Sequence, residues 1–197
     1  MSGAVVGPDG LRRCPWGLSA PDYVSYHDDE WGRPITDDNG IFERLTLEAF
    51  QSGLSWLTIL RKRPSFRAAF AEFDIASVAR FGPADRERLL ADAGIVRNRA
   101  KVEAAMANAR AALEVDGGLA ALVWSFAPKA RPAPRTLADV PAQTDESKAL
   151  AKELRRQGFV FLGPTTLYAL MQAAGLVNDH LRDCWARDRV PKEETAP

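Results

Sequence analysis

Apolar positions along this chain recur three to four residues apart almost from end to end, the spacing of one buried helix face. A segment from about Ile41 to Ser52 sets Phe42, Leu45 and Ala49 on one stripe, with Asp38 or Asn39 placed to cap it. Pro64 and Ser65 open a short helix through Phe66 and Phe70, and Asp74 caps another carrying Ile75, Val78 and Phe81. Pro83 starts a helix to Ala93 that Gly94 closes in the C′ position. A long helix follows from about Arg97 to Val115, with Val102, Met106, Ala109 and Leu113 inward, and Gly117-Gly118 ends it. Leu119 to Phe126 reads as a short apolar helix. Thr144 caps a helix to about Gln157, stopped by Gly158, with acids in its first turn and arginines in its last, as the helix dipole favours. Pro164 starts the helix bearing Leu167, Leu170 and Met171, and Asn178 or Asp179 restarts one holding His180 and Cys184.

The stretch from Ala127 to Gln143 breaks this pattern with Pro128, Pro132, Pro134 and Pro141, and is the one long irregular connection. No internal repeat is visible. Strand alternation is unconvincing everywhere, with Phe159-Val160-Phe161-Leu162 the only doubtful case. The fold class expected is all-α.

Composition changes the picture little. With 197 residues, 46% of them hydrophobic and 26% charged, the chain suits an ordinary soluble globular protein with ample length for a core. No apolar run approaches the ~20 residues needed to span a bilayer, so no membrane partner is expected. Residues 1–11 and the tail from 188 read as disordered, and the default location is intracellular. Lys and Arg number 26, as do Asp and Glu, so no global charge advertises nucleic-acid binding, although a local basic face remains open. The basic runs Arg61-Lys62-Arg63 and Arg97-Asn98-Arg99-Ala100-Lys101 decide nothing alone.

The chemistry-bearing residues are few. Two cysteines and two histidines are all the chain has: Cys14 with His27, and His180 with Cys184, near opposite ends. On a helix, residues four apart share a face. Both spacings suit zinc, and four such ligands make a closed structural site that staples the termini and leaves no vacancy for metal hydrolysis. A Cys14–Cys184 disulfide is the nearest rival, but it needs an oxidising compartment and leaves both histidines unexplained.

Pro83 to Val115 forms a helix-hairpin-helix arrangement around Gly94-Ile95-Val96. A sharp turn there can aim consecutive N–H groups and a helix N-terminus at a DNA phosphate, with Arg97, Arg99 and Lys101 on its neighbours. An ordinary αα-hairpin is the bland alternative. Trp16, Tyr23, Tyr26, Trp31 and Trp56 gather near Glu48, which sits mid-helix among apolar residues. Aromatic faces with one fixed carboxylate suit a flat, electron-poor ring carrying N–H donors, a cationic purine for example. Core packing for the aromatics, and a salt bridge from Glu48 to Arg44, are the alternatives.

Several strings resemble the bacterial DNA-3-methyladenine glycosylase I family. They are Arg13-Cys14-Pro15-Trp16, the run from Tyr23 to Gly32, Leu47-Glu48 followed by Gln51-Ser52-Gly53-Leu54-Ser55-Trp56, Asp92-Ala93-Gly94-Ile95-Val96-Arg97, Gly158-Phe159, and the run from Met171 to His180. The resemblance covers about residues 12 to 187. It implies one helix-hairpin-helix glycosylase domain, with the hairpin about 83–115 and a zinc module joining about 12–31 to 164–187. It implies zinc on Cys14, His27, His180 and Cys184, and excision of 3-methyladenine from alkylated double-stranded DNA, leaving an abasic site. In that reading Glu48 and Tyr26 are catalytic, and Trp16, Tyr23, Trp31 and Trp56 hold the base. Gln51, Gly53 and Leu54 approach the gap in the duplex beside Gly94, Val96, Arg97, Arg99 and Lys101. A monomer working in the bacterial cytoplasm on nucleoid DNA is expected. A catalytically silent binder of alkylated DNA or modified bases is the alternative. Ala49-Phe50 and Pro15 depart from the family pattern.

Overall fold

The computed structural model describes residues 3–190. Nine helices dominate them: α1 (Pro21–Asp29), α2 (Asp38–Gln51), α3 (Trp56–Ala69), α4 (Ile75–Ala79), α5 (Pro83–Ala91), α6 (Arg99–Leu113), α7 (Leu119–Trp124), α8 (Asp145–Arg156) and α9 (Pro164–Ala173). Helix α2 is the axis of the core and packs on α3, α6, α7 and α9. Its apolar stripe, Ile41, Phe42 and Leu45, is fully buried, as are Leu47 and Phe50. Phe50 lies in a ladder with Phe66 and Phe70, at centroid distances of 4.8 and 5.9 Å. The departure at Ala49-Phe50 is therefore a core feature and not a pocket feature.

Three successive side chains at the start of α2 cap three different helices. Asp37, not Asp38 or Asn39, caps α2 itself, accepting from the Gly40 N–H at 2.7 Å. Asp38 accepts from the Ala120 N–H at the start of α7 at 2.7 Å, and Asn39 from the Ile75 N–H of α4 at 3.0 Å. One tight turn thus answers orphan donors on three elements.

Other boundaries differ from expectation for local reasons. Pro64 lies inside α3, because Ser55 already caps that helix through the Thr58 N–H. Helix α5 stops at Ala91, and Gly94 is not left-handed. Glycine is needed there for space: a Cβ would stand 2.9 Å from both Asp92 Oδ1 and Ser65 Cβ. No helix forms over residues 178–186, so His180 and Cys184 come from a run of turns.

The lead-in expected to be disordered is tied down from Ala4 onward, and residues 1–2 lie outside the described residues. Val5–Val6 pairs antiparallel with Arg12–Arg13, the Ala4 N–H donates to Asp183, and Arg12 bonds both Ala4 O and Asp183. Most of the expected C-terminal tail, from residue 191, lies outside the described residues. Among the described residues no helix is long and apolar enough to cross a membrane.

Candidate active site

Cys14, His27, His180 and Cys184 meet in a buried group whose ligand atoms all lie within 4.8 Å of one another. Cys184 Sγ is 3.5 Å from His27 Nε2 and 3.6 Å from His180 Nδ1, and Cys14 Sγ is 3.9 Å from His180 Nδ1. Both cysteines are free thiols, so the disulfide alternative is not realised. Each histidine spends its other nitrogen on a fixed acceptor. His27 Nδ1 meets Asp28 at 2.8 Å, and His180 Nε2 meets the Trp31 carbonyl at 3.2 Å. Burial raises the Asp28 carboxyl, but bonds from Arg13 and His27 outweigh it and hold the group below the usual range. Such partners fix tautomer and ring orientation in metal-bound histidines. The group can hold a metal ion.

Gly17 lets the turn Pro15–Leu18 lie against His27, since a Cβ there would stand 2.8 Å from the imidazole. That turn delivers Trp16 to the cluster and to a cavity of about 450 Å³ beside it. Trp16, Tyr23, Tyr26, Trp31 and Trp56 all line this cavity, as do Glu48 and Gln51. Trp16 stands edge-on to Tyr23 and Trp31 at 5.7 and 5.0 Å, and Tyr26 lies 5.4 Å from Trp56. The five aromatics expected to gather do so.

Glu48 is 6% exposed, and among the described residues its carboxylate takes part in no hydrogen bond or ion pair. Arg44 does not pair with it. The guanidinium lies over the rings of Tyr26 and Trp56, bonds Tyr26 Oη at 3.2 Å and reaches Glu30 at 3.8 Å. Burial pushes the Glu48 carboxyl up to about 7, with Arg44 opposing only in part. Tyr26 is also raised by burial, so its phenol keeps its proton. Since Arg44 donates to that oxygen, the hydroxyl hydrogen is free for another acceptor.

Six wall residues were not foreseen: Ser19 at the end of the Pro15–Leu18 turn, Leu137 and Val140 from the proline-rich connection, Ala169 and Gln172 from α9, and Asp179 beyond it. Gln172 and Asp179 stand within matched strings, but nothing local marked them as wall residues. Leu137 and Val140 carried no signal at all.

The residues expected to face DNA divide. Ser52, Gly53 and Leu54 form an exposed turn after α2, with Leu54 at 42% exposure, and Gln51 stays at the cavity rim. In the hairpin, the Gly94 N–H is taken by Asp92 Oδ1 at 2.7 Å, and Lys62 Nζ clamps the Ala93 and Gly94 carbonyls. The Val96 and Arg97 N–H groups donate to no described residue. Arg97 and Arg99 are exposed, the latter near Glu87 and Glu103. Lys101 is the correction. It is 6% exposed, and its Nζ donates to the Phe50 and Ser52 carbonyls at 2.7 and 2.6 Å. Those carbonyls end α2 without partners of their own, so the lysine turns inward to cap them.

Fold and cavity together define a helix-hairpin-helix protein with a pocket walled by five aromatic side chains and one buried carboxylate. The chain belongs to the methyladenine glycosylase family, whose model matches residues 16–187. DNA-3-methyladenine glycosylase 1 of Escherichia coli (strain K12) is 46% identical over 180 residues, covering 88% of this chain and 96% of that protein. The DNA-3-methyladenine glycosylase of Haemophilus influenzae is 44% identical, covering 87% and 96%. A Staphylococcus aureus 3-methyladenine DNA glycosylase I, solved to show how it recognises 3-methyladenine, superposes with a TM-score of 0.84 at 36% identity, covering 89% of this chain and 96% of that one.

Proposed function

We propose that this chain is a monofunctional DNA glycosylase that extrudes 3-methyladenine from alkylated duplex DNA and hydrolyses its glycosidic bond. The observation that carries the reading is Glu48: a buried carboxylate, without a protein partner, inside an aromatic-walled cavity. Such a group is costly to leave unanswered, and a cationic base bearing N–H donors answers it. The rings stack on the base and attract its charge, and the Tyr26 hydroxyl offers one more hydrogen bond.

Flipping a damaged, poorly paired base costs least, so selection begins before the pocket is entered. The methylated purine already carries positive charge, so departure needs no added proton on the ring. When the C1′–N9 bond breaks, its electron pair neutralises the base. The chain's task is to bind the departing base and the developing sugar cation better than the intact nucleotide. Leu54 and its turn support a role at the gap in the duplex. The unpartnered Val96 and Arg97 N–H groups, with the Arg97 and Arg99 side chains, support phosphate binding at the hairpin.

The metal we assign to the Cys/His group is zinc. Tetrahedral zinc with two sulfur and two nitrogen ligands has edges of about 3.4–3.8 Å; three sulfur–nitrogen edges here measure 3.5, 3.6 and 3.9 Å, and every ligand pair lies within 4.8 Å. Four protein ligands leave no open position, so the ion clamps the terminal segments and supplies no chemistry. We further read residues 12–187 as one domain, acting as a monomer on cytoplasmic DNA.

The deciding experiment incubates methylated duplex DNA with the protein and identifies released bases. Release of 3-methyladenine above a Glu48→Ala control is expected. Binding without release would identify a catalytically silent binder instead.

A further inference from the structure

Two carboxylates line the base cavity, and the reading above employs only Glu48. The second, Asp179, is pinned: its Oδ2 accepts from the Tyr168 hydroxyl at 2.5 Å and from Gln172 Nε2 at 2.9 Å. These donors stand one turn apart on α9. Burial, and then the bond to Asp179 itself, hold the proton on the Tyr168 phenol, so it serves as a lasting donor. Asp179 Oδ1 accepts nothing from the described residues.

Asp179 also lines a second cavity of about 110 Å³, where Lys129, Arg131 and Arg187 converge. Arg187 donates to the Asn178 and His180 carbonyls, whereas Lys129 and Arg131 are exposed and in no ion pair among the described residues. The aromatic cavity and a smaller cavity lined by basic side chains therefore meet at one fixed carboxylate. An extruded nucleotide presents its parts in the same order: base, sugar, phosphate.

Resting on the glycosylase reading, we propose that Asp179 faces the deoxyribose of the extruded nucleotide. There it stabilises the positive charge that develops at C1′ and accepts a hydrogen bond from the attacking water. The C1′–N9 bond breaks with its electron pair on the departing base. The water oxygen forms the new bond to C1′, and its surplus proton goes to bulk water. The two α9 donors hold the carboxylate ready, so its charge acts without reorganisation in the transition state. Glu48 serves the base, and Asp179 serves the sugar.

Asp179→Asn tests this, since its amide oxygen still accepts from Tyr168 and Gln172 while the charge is lost. Three measurements are made on the full chain: single-turnover release of 3-methyladenine, affinity for a duplex bearing an abasic-site analogue, and Tm. The expected result is release slowed on the order of 10²-fold, with Tm and duplex affinity near wild type. Tyr168→Phe, which frees one anchor, should give a smaller loss, and Asp179→Glu should recover part of the rate. Undiminished release by Asp179→Asn overturns the assignment. So does a loss of rate matched by losses in duplex affinity and Tm, which would mark Asp179 as a support for the His180 loop. A wild-type chain that releases no methylated base overturns the glycosylase reading itself.

Discussion

The His27 and Trp16 rings stand 5.0 Å apart with their planes at 66°, so one wall of the base cavity rests directly on the Cys/His cluster. Trp31 repeats the arrangement from the other side, 4.8 Å from His180, whose Nε2 also meets its carbonyl. The cluster is thus more than a staple between distant segments. It sets the positions of two indoles that a stacked base would touch.

Removing the metal should therefore disturb the pocket as well as the fold. Elemental analysis should find one zinc per chain, and chelation should lower Tm by on the order of 10 °C, equivalent to several kcal/mol at this chain length. Tryptophan fluorescence should change together with metal loss, because Trp16 and Trp31 contact the two histidines. A chelated protein that keeps both its Tm and its fluorescence would show that the four side chains hold each other without an ion.

Glu48 gives a second expectation, with a definite sign. Its carboxyl is raised from 4.5 to about 7 by burial. Between those values the unfolded chain has lost the proton while the folded chain keeps it, so the group destabilises the fold increasingly as pH rises, by about 3 kcal/mol at most. Glu48→Gln should match wild type in stability near pH 4.5 and exceed it above pH 7, as read by denaturant unfolding. Activity should run the other way. If the ionised carboxylate receives the cationic base, kcat/KM should rise with pH to a plateau, with a midpoint about 7, and Glu48→Gln should lose that limb. A flat profile in the wild type would remove Glu48 from base reading.

How much of this was legible in the sequence varies with the range of the interaction. The existence of α2 to α9 followed from apolar spacing, whereas α1 was not read at all; Thr144 and Asp74 were read correctly as caps because those bonds are local. Asp38 and Asn39 were misassigned because their partners lie at Ala120 and Ile75, far along the chain. The Cys/His set was readable from residue scarcity, yet its helix was not there: the turns over 178–186 are held by tertiary bonds such as Arg187 to the Asn178 carbonyl. The aromatic walls carry large, distinctive side chains and were found. The walls from Leu137, Val140 and Ala169 are ordinary residues placed by the fold, and no pattern marks them.

The shared cap at Asp38 should behave as pure scaffold. Its carboxylate accepts from the Ala120 N–H, and Gly118 leaves it room, since a Cβ there would lie 2.8 Å from Asp38 Oδ2. Asp38→Ala should cost about 1 kcal/mol, the usual worth of a helix cap, with base release per folded molecule unchanged. A drop in release beyond the folded fraction would mean that α7 communicates with the cavity.

Lys101 and Arg97 share one basic run but should behave differently at DNA. Arg97 is exposed at the hairpin, and Arg97→Ala should weaken duplex binding at every sequence and reduce the slope of log affinity against log salt by about one. Lys101 spends its ammonium on the Phe50 and Ser52 carbonyls, and burial lowers its pKa. Lys101→Met keeps the stem and removes the donors, so the end of α2 and the exposed Ser52–Gly53–Leu54 turn lose their clamp. The expected cost is about 2 kcal/mol of stability, as for hydrogen bonds to a charged group. Duplex affinity should fall because Leu54 is less well placed, yet the salt slope should stay at the wild-type value, since no phosphate contact is removed. Fluorescence anisotropy across a salt series reads both variants. A reduced slope for Lys101→Met would mean that the lysine leaves its carbonyls and reaches the backbone when DNA binds.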